Sequence, residues 1–149
     1  MKPYYRKSTL HDVCELAPNL APADTREVAV FGHTPEQALT LGYISSVYCQ
    51  SIIDAHGHVI AMFGITPLSD VMGQIWMLGS TGLQKVSRIF LRQNKAEIDK
   101  MNKMYPHLCN VIDSRNEAHL RWIKWCGFKI IGEKIINNVK FYEFCRLAR

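Results

Sequence analysis

The chain has 149 residues, of which 48% are hydrophobic and 21% charged, and its formal net charge at pH 7 is +5. This length suits one domain that buries about 68% of the surface its unfolded chain exposes, and the composition excludes disordered, fibrous and low-complexity proteins. No apolar run approaches the ~18 residues of a membrane span, and a polar segment stands where the apolar core of a signal peptide would lie. We therefore expect an intracellular protein.

In chain order, the first half is predicted to hold strands and helices with recognisable helix starts. The marker is the capping box, a Ser or Thr followed three residues later by an acid or Gln. The predicted elements are a short edge strand at Tyr4–Lys7, a helix from the box of Thr9 and Asp12 through about Leu16, a short extra helix over Pro22–Phe31, a helix from the box of Thr34 and Gln37 (with Pro35 at its first position) through about Leu41, a strand over Ser45–Ile53 and an apolar strand over Val59–Ile65.

The second half is predicted to contain two strand–helix units and a closing hairpin. Its predicted elements are a strand over Gln74–Leu78, a long helix from the box of Thr81 and Gln84 to about Tyr105, a strand over Leu108–Ile112, a helix from the box of Ser114 and Glu117 with Gly127 as its C-terminal cap, and the strands Phe128–Ile136 and Val139–Cys145. Asn137 and Asn138, which tolerate positive φ angles, join the last two strands. The two strands around the long helix must pair in parallel through a crossover, so we expect one α/β domain with a mixed sheet.

The positive charge favours an anionic partner. Nucleic acid, an anionic surface and a phosphorylated cofactor all agree with a sequence pI of about 9.0. The basic residues are scattered and form no dense Lys/Arg run, so a nucleic-acid-binding module ranks last.

The loop between the strand at Gln74–Leu78 and the long helix has the composition of a phosphate-binding turn. It contains Gly79, Ser80, Thr81 and Gly82 directly before a predicted helix start, where unpaired amides and the helix dipole favour an anion. Glycines at a turn into a helix usually serve turn geometry alone, so this composition by itself is weak evidence for a phosphate site.

One segment resembles a known family. Asn116–Phe128 is similar to the segment Asn-x-x-Ala-x-x-Leu-Tyr-x-x-x-Gly-Phe of the GCN5-related N-acetyltransferases (GNAT), and Asn116, Gly127 and Phe128 match in place. The run from Trp76 to Gly127 more closely resembles acetyltransferase-like internal virion proteins and related small proteins of short-tailed bacteriophages. The resemblance covers nearly the whole chain. It implies a GNAT-like α/β (α+β) fold with a mixed central sheet of six to seven strands, about four flanking helices and no second domain.

The resemblance also implies a co-substrate, acetyl-CoA, held between two central strands that splay apart. The pantetheine arm would bond to the main chain of the first strand, and the pyrophosphate would lie at the following helix start. The cofactor-binding residues implied in this way are Trp76, Met77, Leu78, Gly79, Ser80, Thr81, Gly82, Lys85 and Asn116. Arg88 could add charge, although Lys85 and Arg88 also suit an ordinary solvated helix face.

The catalytic residues implied by the family are only partly present. Ile123 stands where the family commonly has a tyrosine that protonates the departing thiolate, and it has no proton to give. His119, one turn after Asn116, is the best local candidate, because an imidazole can both accept and donate a proton near neutral pH. Arg26 and Glu27 lie in the segment that folds over the acceptor site in the family, so we expect them to touch substrate.

Other residues that could carry chemistry have simpler explanations. The five cysteines are odd in number and form no Cys-x-x-Cys pair, which predicts free thiols and no zinc ribbon; Cys126 has no histidine at a fixed spacing. His56 and His58 lack further metal ligands, so no metal is expected. The spacing of Trp122 and Trp125 is that of helix packing, although two tryptophans could also stack on bases.

Two functional hypotheses follow. The first is an acyl-CoA-dependent N-acetyltransferase, encoded by a phage and acting on an amine of a host protein or small molecule. The second is a protein that kept this fold without the chemistry and serves as a virion component or as a binder of a host protein. Both place the chain in the host cytoplasm or the virion.

Overall fold

A computed structural model describes residues 2–86 and 88–148 and, among these, every side chain but those of Arg88, Ile89 and Leu91. The described part contains seven strands and five α-helices. The strands are β1 (Tyr4–Lys7), β2 (Tyr48–Ile53), β3 (Val59–Pro67), β4 (Met72–Gly79), β5 (His107–Asp113), β6 (Lys129–Ile136) and β7 (Val139–Leu147). The helices are α1 (Leu10–Leu16), α2 (Pro22–Val30), α3 (Pro35–Ser45), α4 (Arg88–Met104) and α5 (Glu117–Trp125), with short 3-10 turns at Ala17–Asn19 and Thr81–Lys85.

The strands form one mixed sheet in the order β1-β2-β3-β4-β5-β7-β6. All neighbours are antiparallel except β4 and β5, which run in parallel and are linked through α4. Two apolar clusters cover the sheet, one including Ile98 and Met101 of α4 and Ile123 of α5, the other including Leu16 of α1 and Leu39 of α3. The expected mixed α/β fold is confirmed, and the short extra helix expected over Pro22–Phe31 is present as α2.

The central parallel strands separate soon after they begin. Met72, Gly73 and Gln74 of β4 pair with His107, Leu108 and Cys109 of β5, and no pairing follows. Asn110 marks the point of separation: its Nδ2 donates to the Ile75 carbonyl at 2.6 Å, and its Oδ1 accepts from the Val111 N–H at 2.7 Å. An amide side chain thus replaces the next rung of the ladder, and the strands diverge as expected.

Several predicted local features are confirmed. The capping boxes of Thr9 and Thr34 are both present, with reciprocal side-chain bonds to the third residue of each helix. Gly127 follows α5 at φ +91°, and the Asn137–Asn138 turn takes the positive φ angles of 46° and 64°. These features are decided within a few residues of the chain, so spacing alone identifies them.

Two predicted helix starts are wrong. The hydroxyl of Ser80 accepts from the Gly82 N–H and opens a 3-10 turn, so α4 begins at Arg88 and not at Thr81. α5 is capped by Asn116, whose Oδ1 accepts from the His119 N–H at 3.4 Å, and not by Ser114. Ser80, one residue before Thr81, caps the 3-10 turn, and Asn116, two residues after Ser114, caps α5.

The predicted end of α3 and start of β2 are also wrong. α3 continues to Ser45, and β2 begins at Tyr48. Gly42 lies inside the helix and packs against the indole of Trp76, where an added Cβ would lie 2.7 Å from the ring. A tertiary contact here overrides the usual effect of glycine on a helix.

Candidate active site

A cavity of about 340 Å³ passes through the sheet where β4 and β5 diverge. On one face of the sheet it is lined by α2 and α3, and on the other by α4 and α5. A second cavity of about 150 Å³ adjoins it at the wide end of the gap, beside the loop after β4. Met77, His119 and Trp122 line both cavities, so they stand at the junction.

The main chain of β4 offers hydrogen-bonding groups to this gap. The Gly79 N–H donates to Asp24 Oδ2 at 2.9 Å, and the Gly79 carbonyl accepts from the Ala21 N–H at 2.9 Å. The Ile75 carbonyl is used by Asn110. Because alternate residues of a strand direct their main-chain groups to the same side, Met77 also faces the gap, and no β5 residue is paired with it. Met77 therefore presents a main-chain donor and acceptor to the junction of the cavities.

Helix α2 bridges the wide end of the gap with two carboxylates. Asp24 binds the N–H of Gly79 at the end of β4, and Glu27 Oε1 accepts from the N–H of Asp113 at the end of β5 at 2.7 Å. The two acids are three residues apart, which places them on one helix face. Each carboxylate therefore accepts a hydrogen bond from a strand N–H that the neighbouring strand no longer pairs with.

Asp24 also orients His119. Its Oδ1 accepts from Asn116 Nδ2 at 3.0 Å and lies 3.6 Å from His119 Nε2. Asp24 and Asn116 are both 2% exposed, so this network is shielded from water. The Asp24 carboxylate is thus the charged group beside Nε2 of His119. The sequence analysis selected Asn116 and His119 but missed Asp24, which lies far from them along the chain.

Glu27 is a carboxyl group with a strongly altered acidity. Burial raises the pKa of Glu27 to about 8, and the nearby charges of Asp24 and Asp113 add to this effect against the opposing hydrogen bond from the Asp113 N–H. A carboxyl with such a pKa exchanges its proton near neutral pH, which is the property of a general base. Glu27 lines the main cavity.

Two buried donors on the opposite wall have no partner. Within the described part of the chain, neither Asn94 Nδ2 of α4 nor Trp122 Nε1 of α5 makes a hydrogen bond, although both atoms are inaccessible to water. Lys95 lies over the ring of Trp125 at 5.6 Å, which shows that the two helices are adjacent at this height. A buried unpaired donor costs about 1–3 kcal/mol. Both residues line the main cavity, so a ligand there could satisfy them.

The remaining predicted site residues lie around these cavities in different ways. Trp76 faces α3 and donates from Nε1 to Ser46 Oγ at 2.8 Å, and Leu78 is buried beside α1–α3. Arg26 is exposed and lies outside the lining of both cavities, whereas Ile123 is buried in the main cavity. The side chain of Arg88 lies outside the described residues.

The amides predicted to bind phosphate are largely used within the loop. The Ser80 N–H donates to the Ile60 carbonyl at 2.9 Å, the Gly82 N–H to Ser80 Oγ at 3.1 Å and the Leu83 N–H to the Ser80 carbonyl at 3.2 Å. The expected row of free helix-start amides is therefore wrong for this loop. Thr81 and Lys85 are exposed beside it.

The cysteines and histidines form no further site. All five cysteines are free, and burial raises the pKa of the Cys126 thiol to about 12, which keeps it protonated and unreactive. Among residues 2–86 and 88–148 no group of three or more His, Cys, Asp or Glu could hold a metal ion.

None of the described helices combines the length and the apolar character that crossing a bilayer requires.

Comparison with solved structures identifies the fold. The chain is similar to an acetyltransferase of the GNAT family from Bacillus anthracis (TM-score 0.71, 10% identity, 99% of this chain and 95% of that one). It is also similar to a ribosomal-protein-S5-alanine acetyltransferase from Vibrio fischeri (0.68, 18%, 99% and 94%) and to a phosphinothricin acetyltransferase from Sinorhizobium meliloti in complex with AcCoA (0.67, 13%, 99% and 90%). No family model and no curated protein matches the chain by sequence. The fold is thus that of the GNAT acetyltransferases.

Proposed function

We propose that this protein is an N-acyltransferase that moves the acetyl group of acetyl-CoA to a primary amine. The observation that carries the proposal is the gap beyond Gln74 and Cys109, where Met77 faces a cavity that crosses the sheet. A cleft through the sheet lets a thioester enter from one face and an amine from the other. Such a site holds both reactants in position for direct transfer.

The residues of the gap fit the amide-bearing pantetheine arm of CoA. Met77 offers a main-chain N–H and carbonyl on one side, and the unpaired donors of Asn94 and Trp122 stand on the other. An uncharged chain with amide groups would satisfy these donors without burying a charge. The family resemblance implies nine residues for the cofactor, from Trp76 to Lys85 and Asn116. Among them, Met77 has main-chain groups that face the gap, and Thr81 and Lys85 are exposed beside the loop, where they could meet phosphates.

Glu27 and His119 are the proposed proton carriers. The thioester supplies an acyl carbon that the amine nitrogen attacks; the new C–N bond forms as the C–S bond breaks. Glu27 takes the proton that the amine loses, and His119, held by Asp24, gives a proton to the departing sulfur. In this assignment His119 takes the role of the tyrosine that the family commonly has at the position of Ile123. His119 thus remains the catalytic residue proposed from the sequence.

Turnover tests this proposal directly. We expect CoA thiol to be released from acetyl-CoA only when an amine is present, with a rate that rises as pH increases through about 8 because Glu27 must lose its proton. Glu27→Gln, which keeps an acceptor for the Asp113 N–H, should lower kcat about 100-fold. The exposed helix-start variant Glu36→Gln is the matched control and should leave kcat unchanged. Absence of both CoA binding and turnover in the unaltered protein would refute the proposal.

The alternative is a scaffold of this fold without the chemistry. It is supported by the internal use of the loop amides and by Ile123 at the tyrosine position. In that case we propose that the chain serves as a virion component or as a binder of a host protein. A stable complex with one host protein, without turnover of acetyl-CoA, would favour this alternative.

A further inference from the structure

The wall of the main cavity on the side of α2 and α3 is apolar. Its side chains include Val28, Phe31, Ala38, Leu41, Trp76 and Leu78. Glu27 is the only carboxylate among the described residues that line this cavity, and His33 is the only other ionisable group on this wall. When it is ionised, Glu27 therefore provides one site for one positive charge within an apolar surface.

Large apolar side chains continue to the rim of this wall. Phe31 is 44% exposed and Leu41 is 50% exposed, although both line the cavity. Exposed apolar groups that adjoin a cavity are typical of a surface that an apolar ligand covers.

The indole ring of Trp76 forms a rigid aromatic part of this wall. Its Nε1 is held by Ser46 Oγ, and its ring is packed against Gly42 and Gly64, where an added Cβ would lie 2.7 Å and 3.1 Å from indole atoms. A rigid aromatic surface binds an apolar group with little loss of side-chain entropy.

The wall is closed on the side of the β6–β7 hairpin. Asn137 Nδ2 donates to the Val30 carbonyl at 2.6 Å, and the rings of Phe31 and Phe141 meet edge to face at 5.3 Å. The hairpin is thereby fastened to the end of α2. A polypeptide acceptor must extend from the site, so a contact that closes this side favours a small molecule.

From these features we infer that the acceptor is a small primary amine with an apolar body, of the arylalkylamine or alkylamine class. The inference rests on the proposed N-acyltransferase function and names its substrate class. The ammonium group meets Glu27, and the apolar body covers Phe31, Leu41 and Trp76. A polyamine would place its second charge against apolar side chains with no carboxylate to receive it, which is unfavourable.

The test compares amines under the same conditions. CoA release from acetyl-CoA is measured with phenethylamine, spermidine, a lysine-containing peptide and a peptide with an N-terminal phenylalanine. We expect kcat/KM for phenethylamine to exceed each of the others at least tenfold. A preference for spermidine or for either peptide would overturn the inference and leave the proposed function standing. Failure of every amine, together with no binding of CoA, would overturn both.

Variants at the rim make the test independent of a single substrate. Leu41→Glu adds a carboxylate to the wall and should lower kcat/KM for phenethylamine about tenfold while raising it for spermidine. Leu41→Ala should weaken binding of phenethylamine to the CoA complex, measured by ligand-observed NMR, without favouring spermidine. Leu10→Glu, at an exposed leucine of α1 outside the cavity, is the control and should change neither value. Equal activity of Leu41→Glu with both amines would contradict the proposed contact.

Discussion

At the scale of single residues, the site depends on polar groups whose properties come from burial. Glu27 and His119 were both selected from the sequence, since their segments resemble those that meet substrate in the GNAT family. Their partners could not be found in this way: Asp24 reaches His119 only because α2 crosses the ends of β4 and β5. Asn94 and Trp122 give no signal in the sequence either, because an unpaired donor is visible only when every neighbour is placed.

Glu27 gives a stability prediction with a defined sign. The folded protein holds the Glu27 proton up to a pKa of about 8, against an ordinary value of 4.5, so between these values the folded state binds more protons than the unfolded state. The free energy of unfolding attributable to Glu27 therefore falls as pH rises from about 4.5 to 8, by up to about 1.4 kcal/mol per pH unit. Glu27→Gln lacks this loss, so its stability advantage over the wild type should grow from pH 5 to pH 8 and then level off. Urea unfolding across this range measures it, and an advantage that does not change with pH would disprove the raised pKa.

Asn94 and Asn102 form a matched pair on α4. Asn94→Leu removes an unpaired buried donor and should stabilise the free protein by about 1 kcal/mol while weakening CoA binding about tenfold. Asn102 Nδ2 donates to the carbonyls of Tyr105, Pro106 and Arg146, so Asn102→Leu should destabilise the protein by about 2 kcal/mol and leave CoA affinity unchanged. Urea unfolding and calorimetry measure the two effects. Loss of stability in Asn94→Leu would show that Asn94 has a structural role instead.

At the scale of elements, some helix and strand boundaries are set by local sequence signals and others by tertiary contacts. The helices opened by Thr9 and Thr34 and the hairpin at Asn137–Asn138 follow from short-range chemistry, and each was predicted. The predicted start of α4 at Thr81 is wrong, because Ser80 accepts from the Gly82 N–H and a 3-10 turn precedes the helix. The bridge that α2 makes between β4 and β5 could not be predicted either. It depends on where the fold places this helix, and no capping box marks its start.

Gly42 in α3 tests the contact between helix and sheet. Helix propensity alone predicts that Gly42→Ala stabilises the protein by about 1 kcal/mol. The structure predicts the opposite sign: the added methyl group meets the Trp76 ring, and such overpacking costs about 1–3 kcal/mol. Thermal unfolding distinguishes the two outcomes, and a rise in Tm would contradict this packing. The control is Ala38→Gly in α3, which measures the effect of helix propensity on stability. Gly57→Ala would not serve, because Gly57 has a φ of +85°.

At the scale of the whole molecule, the order of elements determines where chemistry can occur. A mixed sheet whose two parallel strands separate has one gap, and the segments that follow β4 and β5 leave the sheet at the wide end of this gap. The resemblance to the GNAT family anticipated this gap from the sequence. The identity of the acceptor could not be anticipated, because it depends on how α2, α3 and the β6–β7 hairpin close around the opposite face.

The most direct measurement is amide hydrogen exchange along β4, followed by NMR with and without CoA. In the free protein the Met77 N–H, which faces the gap, should exchange faster than the Trp76 and Leu78 N–H groups, which face β3. Saturating CoA should slow exchange at Met77 at least tenfold and leave Trp76 and Leu78 nearly unchanged. Protection of Met77 equal to that of its neighbours in the free protein, or no response to CoA, would contradict the account of a cleft that binds the thioester arm.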